Sequence, residues 1–210
     1  MGRMMAPRRG SPTVVETEIK RSRFIAVIAR VDTADEAAAV VEAQRTLRPD
    51  ARHHCWAYVV GDEPSDRRKK SSDDGEPGGT AGVPMLQVLD AREVVAAVAV
   101  VTRYFGGIKL GAGGLVRAYS GAVAAALDET PLVRRERRET YRLGVAHADA
   151  GRVEAELRGR GVDVVDTAYG AVATLTLTTN DPARLEDTVA AATSGGGVLE
   201  PAGAMWADVP

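Results

Sequence analysis

An uninterrupted apolar run, Val94 to Val101, leads into five glycines at positions 106, 107, 111, 113 and 114. The run is short and rich in valine and alanine, which predicts a strand buried on both faces. From Gly113 onward the apolar residues change period. Leu115, Tyr119, Ala122 and Ala126 fall on one helical stripe, with Val116, Val123 and Leu127 beside it. A chain with this pattern is constrained to fold there as strand, glycine loop and helix.

The loop carries a chemical prediction. No Ser, Thr, Asp or Asn stands between Phe105 and Leu115 to cap the helix, so its first N–H groups are expected to be free. Glycine lets a ligand approach the main chain closely. Arg103, Lys109 and Arg117 bring three positive charges, and residues 101 to 121 contain no acid. Free amides, the positive end of a helix dipole and nearby cations together predict an anion, above all a phosphate. The alternative is a glycine-rich turn with solvated basic residues. A P-loop is excluded, because Gly111 is followed by Ala112 and Gly113 rather than Lys and Ser or Thr. The dinucleotide fingerprint fails at Val116, where glycine is required.

At 210 residues the chain has room for one or two domains. Its 45% hydrophobic and 27% charged residues are those of a globular protein, and a net charge of −2 means that any nucleic-acid surface has to be local. The lone Cys55 rules out an internal disulfide and suits a reducing cytoplasm, the expected location. Met1 to Gly10 has arginines but no apolar core after them, unlike a secretory signal, and Ala6 breaks the myristoylation pattern that Gly2 invites. No apolar run approaches the ~20 residues that span a bilayer.

In chain order, residues 1–11 read as disordered and 12–130 as a first domain. Two strands are expected in Thr13–Val31, around the basic Lys20-Arg21-Ser22-Arg23. A helix follows over Asp32–Leu47, with Thr33 and Glu36 at capping-box distance. The next strand, Arg52–Val60, puts His53, Cys55, Ala57 and Val59 on one face. His53 and Cys55 lie about 7 Å apart along that face, too far for a base and its nucleophile. Three histidines and one cysteine make a poor zinc set. Residues 61–84 read as one long polar loop. Its Asp73, Asp74 and Glu76 could ligate Mg²⁺ or move protons, or could brace the fold by pairing with Arg and Lys. Thr80 precedes a short helix, Ala81–Leu89. Residues 131–139 read as an arginine-rich linker. Residues 140–210 carry the order βαββαβ of a ferredoxin-like domain, with Asp149 and Asp181 as helix caps and Gly161 as a terminator. The few aromatics on that sheet argue against base stacking of the RNA-recognition type.

Taken together, Ser72-Asp73-Asp74-Gly75-Glu76-Pro77 with Gly79-Thr80-Ala81-Gly82, and Val101-Thr102-Arg103-Tyr104-Phe105-Gly106-Gly107-Ile108-Lys109-Leu110-Gly111 with Gly113-Gly114-Leu115-Val116-Arg117-Ala118-Tyr119-Ser120, resemble the signature of the IMPACT family in its bacterial, YigZ/YvyE-like branch. Lys20, Ser22, Arg23, Phe24, His53, Cys55, Ala57 and Tyr58 extend the likeness, which covers about residues 12 to 128. Gly78 departs from it where many members have serine, and His54 where asparagine is common, so only His53 carries over.

The resemblance implies an α+β protein of two domains. The first is of the ribosomal-protein domain 2-like α/β type and the second is similar to the last domain of elongation factor G. It also implies kinship with eukaryotic translational regulators that act through protein partners under amino-acid starvation.

Two readings follow. In one, the chain is a regulatory binding protein linked to translation, not an enzyme, that meets RNA, the ribosome or a translation-related protein through its glycine loop and needs no cofactor. In the other, it binds or transforms a small phosphorylated metabolite or nucleotide, with Mg²⁺ as the accompanying ion. The ligand-binding set is common to both: His53, Asp73, Asp74, Glu76, Thr80, Arg103, Tyr104, Gly106, Gly107, Lys109, Gly111, Gly113, Gly114, Arg117 and Tyr119.

Overall fold

The structure, a computed structural model, describes residues 4–63 and 65–209. The chain divides into two compact units, one formed by residues up to Arg135 together with Asp208 and Val209, the other by Glu136–Ala207.

Five strands of the first unit form one antiparallel sheet: β2 (Thr13–Ile19), β3 (Ser22–Arg30), β4 (His53–Val60), β5 (Arg68–Ser72) and β6 (Ala97–Tyr104). Their spatial order is β2-β3-β6-β4-β5, so β6 is central. Helix α1 (Ala34–Leu47) covers one face; α2 (Gly82–Ala91) and α3 (Ala112–Glu129) cover the other. The unbroken apolar run is the consequence. Val98 and Val100 point toward α1, while Ala97, Ala99 and Val101 point toward α2 and α3, all of them fully buried. A strand with helices on both faces has no solvated side on which to place polar residues.

Local chemistry explains the element ends. Thr33 caps α1 by accepting from the Glu36 N–H at 3.1 Å, and Glu36 accepts in return from the Asp32 N–H at 2.7 Å. The β2–β3 hairpin turns on Lys20 and Arg21, whose φ values of 48° and 64° suit the right-handed twist of a two-residue turn.

Three expectations need correction. Met5–Pro7 is a strand, β1, not disordered chain; it pairs with Leu132–Arg134 and buries Ala6 completely. Residues 1–3, expected to be disordered too, lie outside the described residues. The supposed polar loop of 61–84 contains β5, which pairs with β4 in the register Lys69↔Val59 and Ser71↔Ala57. The supposed linker 131–139 belongs mostly to one long strand, β7 (Leu132–Val145).

In the second unit the order is β7, α4 (His147–Gly159), β8 (Asp163–Tyr169), β9 (Ala173–Thr179), α5 (Pro182–Ala192) and β10 (Leu199–Val209). The sheet runs β10-β7-β9-β8, the ferredoxin-like arrangement. Leu143, Leu175 and Leu177 pack with Val153 and Leu157 of α4 and Leu185 and Val189 of α5. Asp181 caps α5 by accepting from the Arg184 N–H. Asp149 lies within the first turn of α4 instead of capping it; the N-cap position is Ala146.

Gly106, the first glycine after β6, presses on the β2–β3 turn. A Cβ there would overlap the Arg21 carbonyl and the Ser22 nitrogen, and its N–H donates to Ser22 Oγ at 3.1 Å. Gly106→Ala is therefore expected to cost about 1–3 kcal/mol as an overpacking change, read as a fall of several degrees in Tm by thermal denaturation. Gly113→Ala is expected to hold or raise Tm. Its Cβ would meet only the Arg117 guanidinium, at 3.7 Å, and alanine is favoured over glycine in helices by about 1 kcal/mol.

Candidate functional site

A cavity of about 820 Å³ lies where β6 runs out into the glycine loop and α3 begins. Two neighbouring strands, β4 through His53 and β6 through Arg103 and Tyr104, contribute to its wall. Arg103 of β6 stands opposite Phe24 of β3 on one side and His53 of β4 on the other. His53, Glu76, Arg103, Tyr104, Lys109 and Gly111, all from the predicted set, line the cavity. Asp50, Arg52, Phe105 and Ala112 line it as well, outside that set.

The first turn of α3 is as bare as the sequence predicts. Gly111 occupies the N-cap position with φ of 71°, no side chain caps the helix, and no acid lies in its first turn. Its amides are thus not occupied by the protein's own side chains. Lys109 is exposed at the rim. Arg117 is exposed on α3 but is not part of the lining, and Gly113 and Gly114 lie within the helix.

Arg103 is not the free cation that the sequence suggests. Its side chain is 8% exposed, and it pairs with the 4% exposed carboxylate of Glu76 at 2.6 Å. The guanidinium lies 5.5 Å from the Phe24 ring centroid and 5.6 Å from that of Phe105, within cation–π range of both. Its Nε–H is buried without a hydrogen-bond partner. Tyr119, beneath the site and fully buried, also donates to Glu76 Oε1, at 2.8 Å. Burial, followed by the neighbouring Cys55 and Glu76, pushes its hydroxyl pKa far up, so Tyr119 stays protonated and serves as a donor.

The acidic loop is committed internally. Asp73 Oδ1 accepts from the N–H groups of Ala81 and Gly82 at 2.9 and 2.8 Å, and Oδ2 from that of Gly79 at 2.8 Å. Asp73 thus supplies the start of α2 with the cap that its own N-cap residue, Ala81, cannot provide. Asp74 accepts from Arg45 at 2.8 Å and from the His54 N–H at 2.7 Å. Thr80 is buried and donates to the Pro77 carbonyl. Asp73, Asp74 and Thr80 are not among the cavity-lining residues, and no three His, Cys, Asp or Glu among the described residues form a metal-binding group. Gly107 adopts φ of 85°, a turn position suited to glycine. It does not line the cavity, nor does Gly106.

His53 is held by its Nδ1, 2.8 Å from the Asp74 carbonyl oxygen. A carbonyl only accepts, so the proton is on Nδ1, and Nε2 remains for a ligand. Cys55 is fully buried, donates to the Asp73 carbonyl, and has its pKa pushed up to about 12, first by burial. Such a thiol is no nucleophile at neutral pH. His54 is buried against Thr102, and burial lowers its pKa.

Asp50, Arg52 and Phe105 were missing from the sequence-based set because they converge across strands. The signals that could have found them are the cation one position before His53 and an aromatic placed immediately before the glycines.

Residues 20–127 match the family described as the Impact N-terminal domain, and residues 143–195 match a domain of unknown function, DUF1949. The chain is 46% identical over 143 residues to the IMPACT family member YvyE of Bacillus subtilis (strain 168), covering 68% of this chain and, slightly short of two thirds, 65% of that relative. It is 43% identical over 161 residues to the IMPACT family member YigZ of Escherichia coli (strain K12), covering 77% and 79%. A solved crystal structure of a hypothetical protein aligns with 95% of this chain and 97% of its own, at 38% identity and a TM-score of 0.72.

The bonds to Asp73 make a pH prediction. Burial opposes its charge, but the three main-chain donors outweigh it and hold the carboxyl pKa below the ordinary value. Its contribution is full above the unfolded pKa of about 3.9 and lost as pH falls through the folded value. Asp73→Asn puts an amide nitrogen where one carboxylate oxygen accepts and leaves a main-chain N–H unpaired; it is expected to lose about 1–3 kcal/mol at pH 7, and the gap in Tm to the parent protein should close as pH falls below about 4. A gap that widens on acidification would show the carboxylate is not the stabilising form.

Proposed function

This chain belongs to the IMPACT family, and we propose that it is a regulatory binding protein linked to translation that recognises phosphate at the start of α3. RNA or the ribosome is the intended partner. The observation that carries this reading is the α3 N-terminus, free of any side-chain cap, at a cavity lined by Arg52 and Lys109. Such an end offers several N–H donors and roughly half a positive charge to an anion. The likeness to a family with eukaryotic translational regulators supplies the link to translation. Among the described residues no helix is long and apolar enough to cross a membrane. The reading places the protein in the cytoplasm, with its partners.

A catalytic, Mg²⁺-dependent reading is less well supported. Asp73 and Asp74 are spent on main-chain and Arg45 donors, and Glu76 on Arg103 and Tyr119.

Phosphate recognition predicts salt dependence. Affinity of the full chain for ribosomes or for single-stranded RNA, measured by sedimentation or fluorescence anisotropy, is expected to fall steeply between 50 and 200 mM salt. Replacing Lys109 and Arg52 with glutamine should flatten the slope of log K against log salt by about 0.7, the value for one phosphate contact on a single strand. Affinity indifferent to salt would remove phosphate as the recognised group.

A further inference from the structure

We propose that the cavity at the start of α3 takes a nucleotide unit bearing a single 5′-phosphate, with the phosphate on the helix amides and the base stacked on Phe105. This rests on the phosphate reading above and goes further by naming what the phosphate is attached to.

Three observations beyond the bare helix end support it. The first is Arg103. Its side chain is more than nine-tenths buried and lines the cavity, yet its Nε–H has no partner. A buried donor left unpaired is destabilising, and structures keep few of them without a reason. An acceptor drawn against the Arg103 guanidinium as a ligand fills the cavity would relieve it.

The second is Phe105. It follows Arg103 by two residues, lines the same cavity and is 56% exposed. The Arg103 guanidinium sits 5.6 Å from its ring centroid, which leaves the rest of the ring to solvent. An exposed aromatic ring beside phosphate donors is the pairing used to hold nucleotides, whose bases each present a π-face.

The third is the acid content and size of the cavity. Asp50 lines it, and accepts from the Tyr104 hydroxyl at 3.0 Å. A carboxylate repels a second phosphate but accepts from sugar hydroxyls. A continuous nucleic-acid backbone would bring several phosphates past it; one terminal phosphate followed by a ribose would not. The volume of about 820 Å³ is that of a small-ligand cavity.

The ligand chemistry is therefore a 5′-phosphorylated nucleoside, free or at the end of an RNA. Calorimetric titration of the full chain with adenosine 5′-monophosphate, ribose 5-phosphate, inorganic phosphate and adenosine tests it. A pair of short RNAs with and without a 5′-phosphate separates the sources. The monophosphate is expected to bind about tenfold tighter than ribose 5-phosphate, the lower part of the range for one stacked base. Phe105→Leu should remove most of that margin and leave ribose 5-phosphate within about twofold, while Lys109→Gln should weaken every phosphate ligand. Preference for the 5′-phosphorylated RNA over its 5′-hydroxyl counterpart would identify an RNA end as the source; binding of the monophosphate without RNA binding would identify the free nucleotide. Ribose 5-phosphate binding as tightly as the monophosphate, with phosphate binding intact, would overturn the nucleotide assignment alone. No binding of any anion would overturn the phosphate reading beneath it.

Discussion

The first unit is held together at its chemical centre by one buried carboxylate. Glu76 receives Arg103 from the central strand and Tyr119 from α3 on the same oxygen. Both members of the ion pair are more than nine-tenths buried, so neither charge has water to fall back on. Removing one partner of such a pair typically costs about 3–5 kcal/mol, because the other is stranded. That bond ties three otherwise separate parts together: the acidic loop, the sheet and the helix whose start forms the cavity. It also settles the charge balance there. Arg103 is already neutralised by Glu76, so Arg52, Lys109 and the dipole of α3 supply the remaining positive potential.

The same constraint explains why an acid-rich loop beside an anion cavity is not self-defeating. Each carboxylate is turned onto the protein: Asp73 onto the start of α2, Asp74 onto Arg45 and the His54 amide, Glu76 onto Arg103 and Tyr119. The positive φ of 43° at Asp74 and 85° at Gly75 turns the chain so that the side chains of residues 73 and 74 reach different elements. In return the Asp74 carbonyl fixes the His53 ring. The loop is a brace, and its chemistry reaches the cavity through the orientation of His53 and the position of Arg103.

How far the sequence could be read depended on the range of the forces involved. Local signals were legible. Thr33 and Glu36 announced α1, Asp181 and Pro182 announced α5, and the switch from continuous to helical apolar spacing announced β6 and α3. β1, β5 and the first half of β7 were not legible, since their hydrogen bonds come from distant partners. Arg68, Lys69 and Lys70 read as loop because β5 is an edge strand, where exposed basic side chains are tolerated and guard against edge-to-edge pairing. For the site, single residues were visible but their commitments were not. Nothing local to Arg103 says that Glu76, 27 positions earlier, has already claimed it. Asp50 and Arg52 enter the cavity only because β4 lies against β6.

The bareness of α3 gains meaning from how the other helices of the chain begin. Thr33 caps α1, with Asp35 and Glu36 in its first turn; Asp73 reaches across to serve α2; Asp149 lies in the first turn of α4; Asp181 caps α5. Among the described helices α3 alone has neither a side-chain cap nor an acid near its start. It is also the longest of them, eighteen residues, and it is packed into the core through Leu115, Tyr119, Ala122 and Ala126. Packing of that kind stabilises a helix well beyond what a cap adds. The fold can therefore leave these amides unpaired by its own side chains at a cost of about 1 kcal/mol, and they remain as donors where strand, loop and helix open into a cavity.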